Sequence, residues 1–206
     1  MKKPVVALTI AVIFLFSACD STPQVSRISS LTQTDLDGYW NDTDVRIVCN
    51  SLIRDCLSSP QVALFIQQYS DRNGGRLPAC MVGTFRNITS EHIDTGLISM
   101  IMESAIINSR RMTIVVGGDA RQEIRDERQD QQVNASEATA SSLGYETGAV
   151  LLLTGTVRSI VERAGNKTIR SYFVNAELTN IETNEVLWRG LNDEIKKEIQ
   201  QRSIRF

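Results

Sequence analysis

The chain of 206 residues holds a single histidine, His92, and only four cysteines. A Ser-His-Asp or Cys-His arrangement would have to recruit His92. It stands in "TSEHIDT", ahead of a helical pattern, where it reads as a loop or helix-cap residue. There is no CxxC pair and no Cys/His cluster at zinc spacing, and neither a Walker-type loop, a strand-linked GxGxxG nor an HExxH occurs. Carboxylates are plentiful, but none stands in a recognisable acid–base context. The expectation is a non-enzymatic protein with no metal, no cofactor and no small-molecule substrate. Basic excess is missing too: 22 Lys and Arg against 24 Asp and Glu leave a net charge of −2. That excludes nucleic acid as a partner and supplies no polybasic membrane patch.

Long apolar runs are also scarce, with one exception at the start. Lys2-Lys3 precedes Val5 to Phe16, which as a helix rises only ~18 Å, short of the ~30 Å of a bilayer core. This reads as a secretory leader. It closes on "FLFSAC", in which small Ser17 and Ala18 stand before Cys19 as in a lipobox, with Phe16 in place of the usual leucine. Residues 1–18 are therefore expected to be a lipoprotein signal peptide and Cys19 the lipidated residue, giving a membrane anchor through acyl chains. The remaining 188 residues carry 20 basic and 24 acidic side chains, a net −4, and suffice for one domain and a tether. Residues 19–37, rich in Ser, Thr and Asp, read as the flexible tether, and 38–206 as the globular domain. Cys49, Cys56 and Cys80 read as small buried hydrophobes. Seven residues apart on a helix, Cys49 and Cys56 lie roughly 10 Å apart along the axis, too far for a disulfide.

Within the domain, Val45, Val48, Cys49, Leu52, Ile53 and Cys56 recur at helical spacing, with a cap near Asn41 to Thr43. Ser59-Pro60 starts a second helix, ended by "DRNGG". "PACMVGTF" (78–85) reads as a strand buried on both faces, and Ile93 to Ile106 as a third helix. "MTIVV" (112–116) reads as a strand, followed by a very polar helix from about Asp119 to Gln132. A further helix, capped by Ser136, is expected to end near Gly148. "AVLLLTGTVRSIVER" and "TIRSYFVNAELTNI" read as a long hairpin, with Tyr172, Val174, Ala176 and Leu178 on one face. "VLWRG" comes next as a strand, with Trp188 expected against the third helix near Ile101 and Ala105, and residues 192–201 read as a charged helix. Two β-α-β-like passes and a meander predict a single layered α/β domain with a mixed central sheet flanked by helices.

Five stretches together resemble the LpoB family of lipoprotein activators of bifunctional penicillin-binding proteins: "YWNDTDVRIVCNSLIRDCLSSP", "VGTFRNITSEHIDT", "EIRDERQDQQ", "ETGAVLLLTGTV" and "LTNIETNEVLWRG". The resemblance runs roughly from Gly38 to Lys197. It implies a domain similar to the amino-terminal domain of TolB. It also implies docking on a bifunctional penicillin-binding protein, a peptidoglycan synthase, whose transpeptidase and glycosyltransferase rates rise as a result. The last two stretches are also similar to curli-secretion and flagellar lipoproteins, so a self-assembling structural or secretion-associated lipoprotein is the alternative. The implied location is the outer membrane, facing the periplasm. Asp20, next to the acylated cysteine, resembles an inner-membrane retention signal and makes the periplasmic face of the inner membrane the alternative.

The polar helix supplies the candidate partner surface. At 100° per residue, Arg121, Arg125 and Arg128 fall within about 60° of one another, with Gln132 beside them. Asp119, Glu123, Asp126, Glu127 and Asp130 gather opposite. Guanidinium forks suit bidentate contact with carboxylates on a partner, while pairing with the chain's own surface is the plainer reading.

Overall fold

Asn41 starts the first helix by chemistry visible in its neighbours. Its side-chain oxygen accepts from the backbone N–H of Thr43 and Asp44, and Asp44 returns a carboxylate to the Asn41 N–H, a complete capping box. Helix α1 (Asp42–Ser58) runs from this cap, and Ser59 both ends it and caps α2 (Pro60–Arg72). The computed structural model describes residues 25–29 and 32–201, and its contacts divide the chain into residues 1–32 and 33–206. The leader and Cys19 lie outside the described residues. All the described helices and strands belong to the unit from Gln33 onward.

After α2 come β1 (Ala79–Asn87), α3 (Thr95–Ser109), β2 (Thr113–Ile114), α4 (Gly118–Asn134), β3 (Leu151–Ala164), β4 (Lys167–Asn180), β5 (Val186–Asn192) and β6 (Lys196–Gln200). The sheet runs β2-β1-β3-β4-β5, with β6 also on β4. β1 is parallel to both β2 and β3, and the remaining pairs are antiparallel. This is the mixed sheet expected.

The core lies on one face of that sheet. Leu151, Leu153 and Val157 of β3 and Tyr172, Val174, Ala176 and Leu178 of β4 are buried against α1 and α3, which contribute Val48, Cys49, Leu52, Ile98, Met102 and Ile106. Strand alternation alone puts these residues on one side. The other side stays partly open: Leu152, Thr154, Asn175 and Glu177 line a shallow depression of about 460 Å³. β1 is correspondingly not buried on both faces. Its Val82 and Phe85 face the core, while Thr84 and Arg86 are exposed. Gly155 lets Phe85 in, because a Cβ there would overlap the ring.

Four further expectations are corrected. Residues 112–116 form only a two-residue strand, because Gly117 and the left-handed Gly118 (φ 56°) turn the chain away. No helix forms between Ser136 and Gly148; Ser136 closes one turn, to Thr139 and Ala140, and Gly144 (φ 80°) breaks any continuation. Residues 192–201 form no helix: Asn192 ends β5 and Lys196–Gln200 is the strand β6. After Asn192 the chain takes an extra residue, with the Ile195 carbonyl accepting from Tyr172 N–H, and resumes pairing on β4 as β6. Trp188 is buried as expected, but against α1 and not α3: its Nε1 donates to Asp55 at 2.9 Å, and its ring lies over Gly190 beside Leu52.

Cys49, Cys56 and Cys80 are free and buried, and desolvation pushes each thiol up to about 12. They pack as hydrophobes, as expected, and are poor nucleophiles at neutral pH. His92 is exposed in the loop before α3, whose cap is Asp94. Among the described residues no helix is long and apolar enough to cross a membrane, and no cluster of three metal-ligating side chains forms.

Candidate partner-binding site

Helix α4 carries the arginine stripe, and it differs from the other helices in burying no residue. Its N-cap, Gly117, offers no side chain to the first turn. Arg121 folds back over that start: Nε donates to the Val116 carbonyl at 2.9 Å and Nη2 approaches the Met81 sulfur at 3.7 Å. Arg125 grips Glu146 with both Nε and Nη2, at 2.8 and 2.9 Å, and Arg128 Nη1 reaches the same carboxylate at 2.8 Å. Gln132 Nε2 donates to the Ser141 carbonyl at 2.7 Å, and Gln131 accepts from Ser141 N–H. All four candidate residues thus touch their own chain, and Arg125, Arg128 and Gln132 hold the returning segment along α4 at Glu146 and Ser141.

The forked bond from Arg125, with Arg128 behind it, holds the Glu146 carboxyl down to about 2. Between the helix and the returning segment runs a groove of about 330 Å³, lined by Val116, Arg121, Ile124, Arg128, Tyr145 and Glu146. Tyr145 is 85% exposed at its mouth, and Leu143 and Ile124 are exposed nearby. The arrangement offers a half-neutralised guanidinium row beside apolar side chains. Arginine and exposed aromatic and aliphatic side chains, which lie side by side here, are residue types enriched where proteins meet. On the far side of α4, Asp126, Glu127 and Asp130 are each bonded by an amide four residues away, from Gln122, Gln131 and Asn134.

A second cluster has no signature in residue spacing. It lies where "GYWNDTD" enters the domain. Glu91 and Arg170 form an ion pair with side chains 8% and 10% exposed, and Tyr172 Oη donates to Glu91 at 2.7 Å. The Arg170 guanidinium stacks 3.9 Å over the Tyr39 ring, and Trp40 meets Tyr172 edge-on at 5.3 Å. Burial and the Glu91 carboxylate together push the Tyr172 phenol well above its usual range. Lys197 of β6 completes the clasp, bonding Asp44 at 2.6 Å, Asp35 at 2.8 Å and the Tyr39 carbonyl at 2.8 Å. Burial works against the lysine's charge, but the two carboxylates outweigh it and raise its affinity for the proton. The available signal in the sequence is the pairing of two aromatics with a charged strand, visible only once β4 and the Glu91 loop are superposed.

The family described as peptidoglycan-synthase activator LpoB matches residues 44–194, from the capping-box aspartate to the last turn before β6. The chain belongs to the LpoB family. The family is one of activators, which agrees with a regulatory and non-catalytic protein. No curated protein matches the chain by sequence. Among solved structures the chain is similar to the LpoB C-terminal domain from Salmonella enterica, at 19% identity, covering 69% of this chain and 95% of that one, with a TM-score of 0.34. The LpoB C-terminal domain from Escherichia coli matches at 17% identity, covering 66% and 96%, with a TM-score of 0.34. The NMR structure of E. coli LpoB matches at 15% identity, covering 90% and 87%, with a TM-score of 0.35.

Proposed function

We propose that this chain is an envelope lipoprotein, acylated at Cys19, that binds a bifunctional penicillin-binding protein and raises its rates of peptidoglycan synthesis. The observation that carries the reading is the family match over residues 44–194, which spans the domain from α1 through β5. The leader ending at Cys19 supports anchoring from the periplasmic side, with the outer membrane as the proposed location and the periplasmic face of the inner membrane as the alternative.

The proposed docking surface is α4 with the segment it draws back. A helix that buries nothing in its own domain is free to bury its exposed groups in another. Arg121, Arg125, Arg128 and Gln132 then supply donors for carboxylates on the synthase, while Ile124, Leu143 and Tyr145 supply the apolar contact. In the free protein Glu146 occupies two of those guanidinium groups and keeps them oriented. The test is binding and glycosyltransferase stimulation with a purified bifunctional synthase. Changing Arg121, Arg125 and Arg128 together to Glu is expected to abolish both while the melting temperature of the domain stays unchanged. Stimulation that survives the triple change would move the docking surface elsewhere, and a synthase that never binds the unaltered chain would remove the function.

A further inference from the structure

β3 outruns its neighbour. β1 pairs with it only as far as Asn87 opposite Val157, and Ile88 N–H donates to the Val157 carbonyl at 2.9 Å. Among the described residues, β3 from Arg158 to Ala164 is bonded on one side alone, to β4. Bonding direction alternates along a strand, so the outward Val157 carbonyl makes Ser159, Val161 and Arg163 the residues whose N–H and C=O point away from β4. The opposite strand agrees. Tyr172, which faces Ser159, sends its own N–H away from β3 to Ile195. No described residue bonds the outward groups of Ser159 or Val161.

A bare edge of this kind is a template for another strand, and proteins commonly guard it with charges, proline or a bulge. Here the side chains alternate to a different effect. Arg158, Ile160 and Glu162 share one side of the strand and are all exposed, Ile160 by 55%. Neither Arg158 nor Glu162 has an ion pair among the described residues. The order positive, apolar, negative is its own complement when reversed.

We propose that Arg158–Glu162 of β3 pairs antiparallel with the same stretch of a second copy of this chain, about a two-fold axis through Ile160. In that register Ser159 faces the copy's Val161, joining two residues whose bonding groups both point outward. Ile160 faces Ile160 at a close, non-bonded position, and each Arg158 faces a Glu162. Neighbouring registers do worse. An axis between Ile160 and Val161 sets outward groups against inward ones and Arg158 against Arg163. An axis through Val161 keeps the bonding but sets Ile160 against Glu162. An axis through Ser159 needs the Val157 carbonyl, which Ile88 already occupies. The pairing is short and ends where the chain turns at Gly165 (φ 59°), so it forms a weak contact best read by trapping it. It is independent of synthase binding.

The experiment is oxidative cross-linking of the full chain carrying Ile160→Cys, with Cys19 changed to Ala in every protein compared so that residue 160 supplies the one new thiol. Facing Cβ atoms at a non-bonded pair lie within disulfide range, and the native Cys49, Cys56 and Cys80 are buried. A covalent dimer on a non-reducing gel is expected for I160C, and none for the unsubstituted chain or for L64C at an exposed site on α2. In the I160C background, R158E and E162R alone each place like charges opposite one another and are expected to lower the dimer about ten-fold. Mixing those two proteins makes every facing pair opposite in sign and is expected to restore it. An I160C chain that stays monomeric, a dimer indifferent to R158E, or a mixture that fails to recover would each overturn the pairing.

Discussion

Helices α3 and α4 are close in length, 15 and 17 residues, and lie on either side of the same short strand. They hold together for opposite reasons. α3 is apolar nearly all round and sets Ile98, Met102 and Ile106 into the core against β1 and α1. Its helix is an outcome of packing. α4 buries nothing; it is held by side-chain bonds four residues apart and by the Glu146 carboxylate shared between Arg125 and Arg128. Solvent screens these surface contacts, so they order the helix without anchoring it to the core. A protein that needs one rigid face and one adaptable face can build both from helices of the same length.

The packed layer should break hardest. Trp188→Ala is expected to cost ~3–5 kcal/mol in chemical denaturation, because the ring fills the space between Gly190 and Leu52. Asp55 is exposed, so the lost indole bond adds little, and a cost below ~1 kcal/mol would mean the ring is not part of the core. Ile106→Ala in α3 comes next, at ~2–4 kcal/mol from a fully buried side chain. If α3 instead melted like α4, the two helices would share one stability and the contrast between them would fail.

Legibility in the sequence divides along the same line. Wherever packing decides, period and capping are visible: Asn41 at the head of α1, the alternating Tyr172 to Leu178 of β4, and the three buried thiols. The failures come from polar residues in apolar places. Ile195 and Ile199 stand four apart, a helical interval, and only the inward Lys197 between them reveals the strand; its side chain is buried because Asp35 and Asp44 neutralise it. Trp188 packs on a different helix from the one expected because the order of helices over the sheet depends on the crossover connections. The arginine stripe is legible as geometry, but its partner Glu146 lies 18 and 21 residues away, in a segment without periodicity.

Acid should separate the two regions without a mutation. The Glu146 carboxyl titrates at about 2 while α4 is in place, below its ordinary value near 4.5. The group therefore favours the ordered arm above its unfolded value, and that contribution fades as pH falls from about 4.5 towards 2. Amide protection factors, taken relative to the intrinsic exchange rate at each pH, are expected to fall in residues 118–149 across that window, ahead of β3 and β4. In Glu146→Gln the arm should exchange fast even at neutral pH, with the melting temperature of the domain unchanged. Arm and sheet losing protection at one common pH would place Glu146 among the groups that hold the core.

The smallest expected effect is the most demanding of the contrast. Ile124 is the one large apolar side chain in the middle of α4, where a helix docked on a core would set its anchor. It is 39% exposed, at the rim of the groove beside Tyr145. Ile124→Ala removes a β-branched residue in favour of the best helix former, which gains a few tenths of a kcal/mol and offsets the little burial lost. The net change in denaturation free energy is expected to stay within ~0.5 kcal/mol, against the ~2–4 kcal/mol of Ile106→Ala. The same substitution should weaken synthase binding measurably if α4 is the docking surface, since burial withheld from the fold is then realised in the complex. A loss of ~2 kcal/mol or more in the free protein would show that α4 leans on its own domain through Ile124, and its freedom to serve a partner would go with that result.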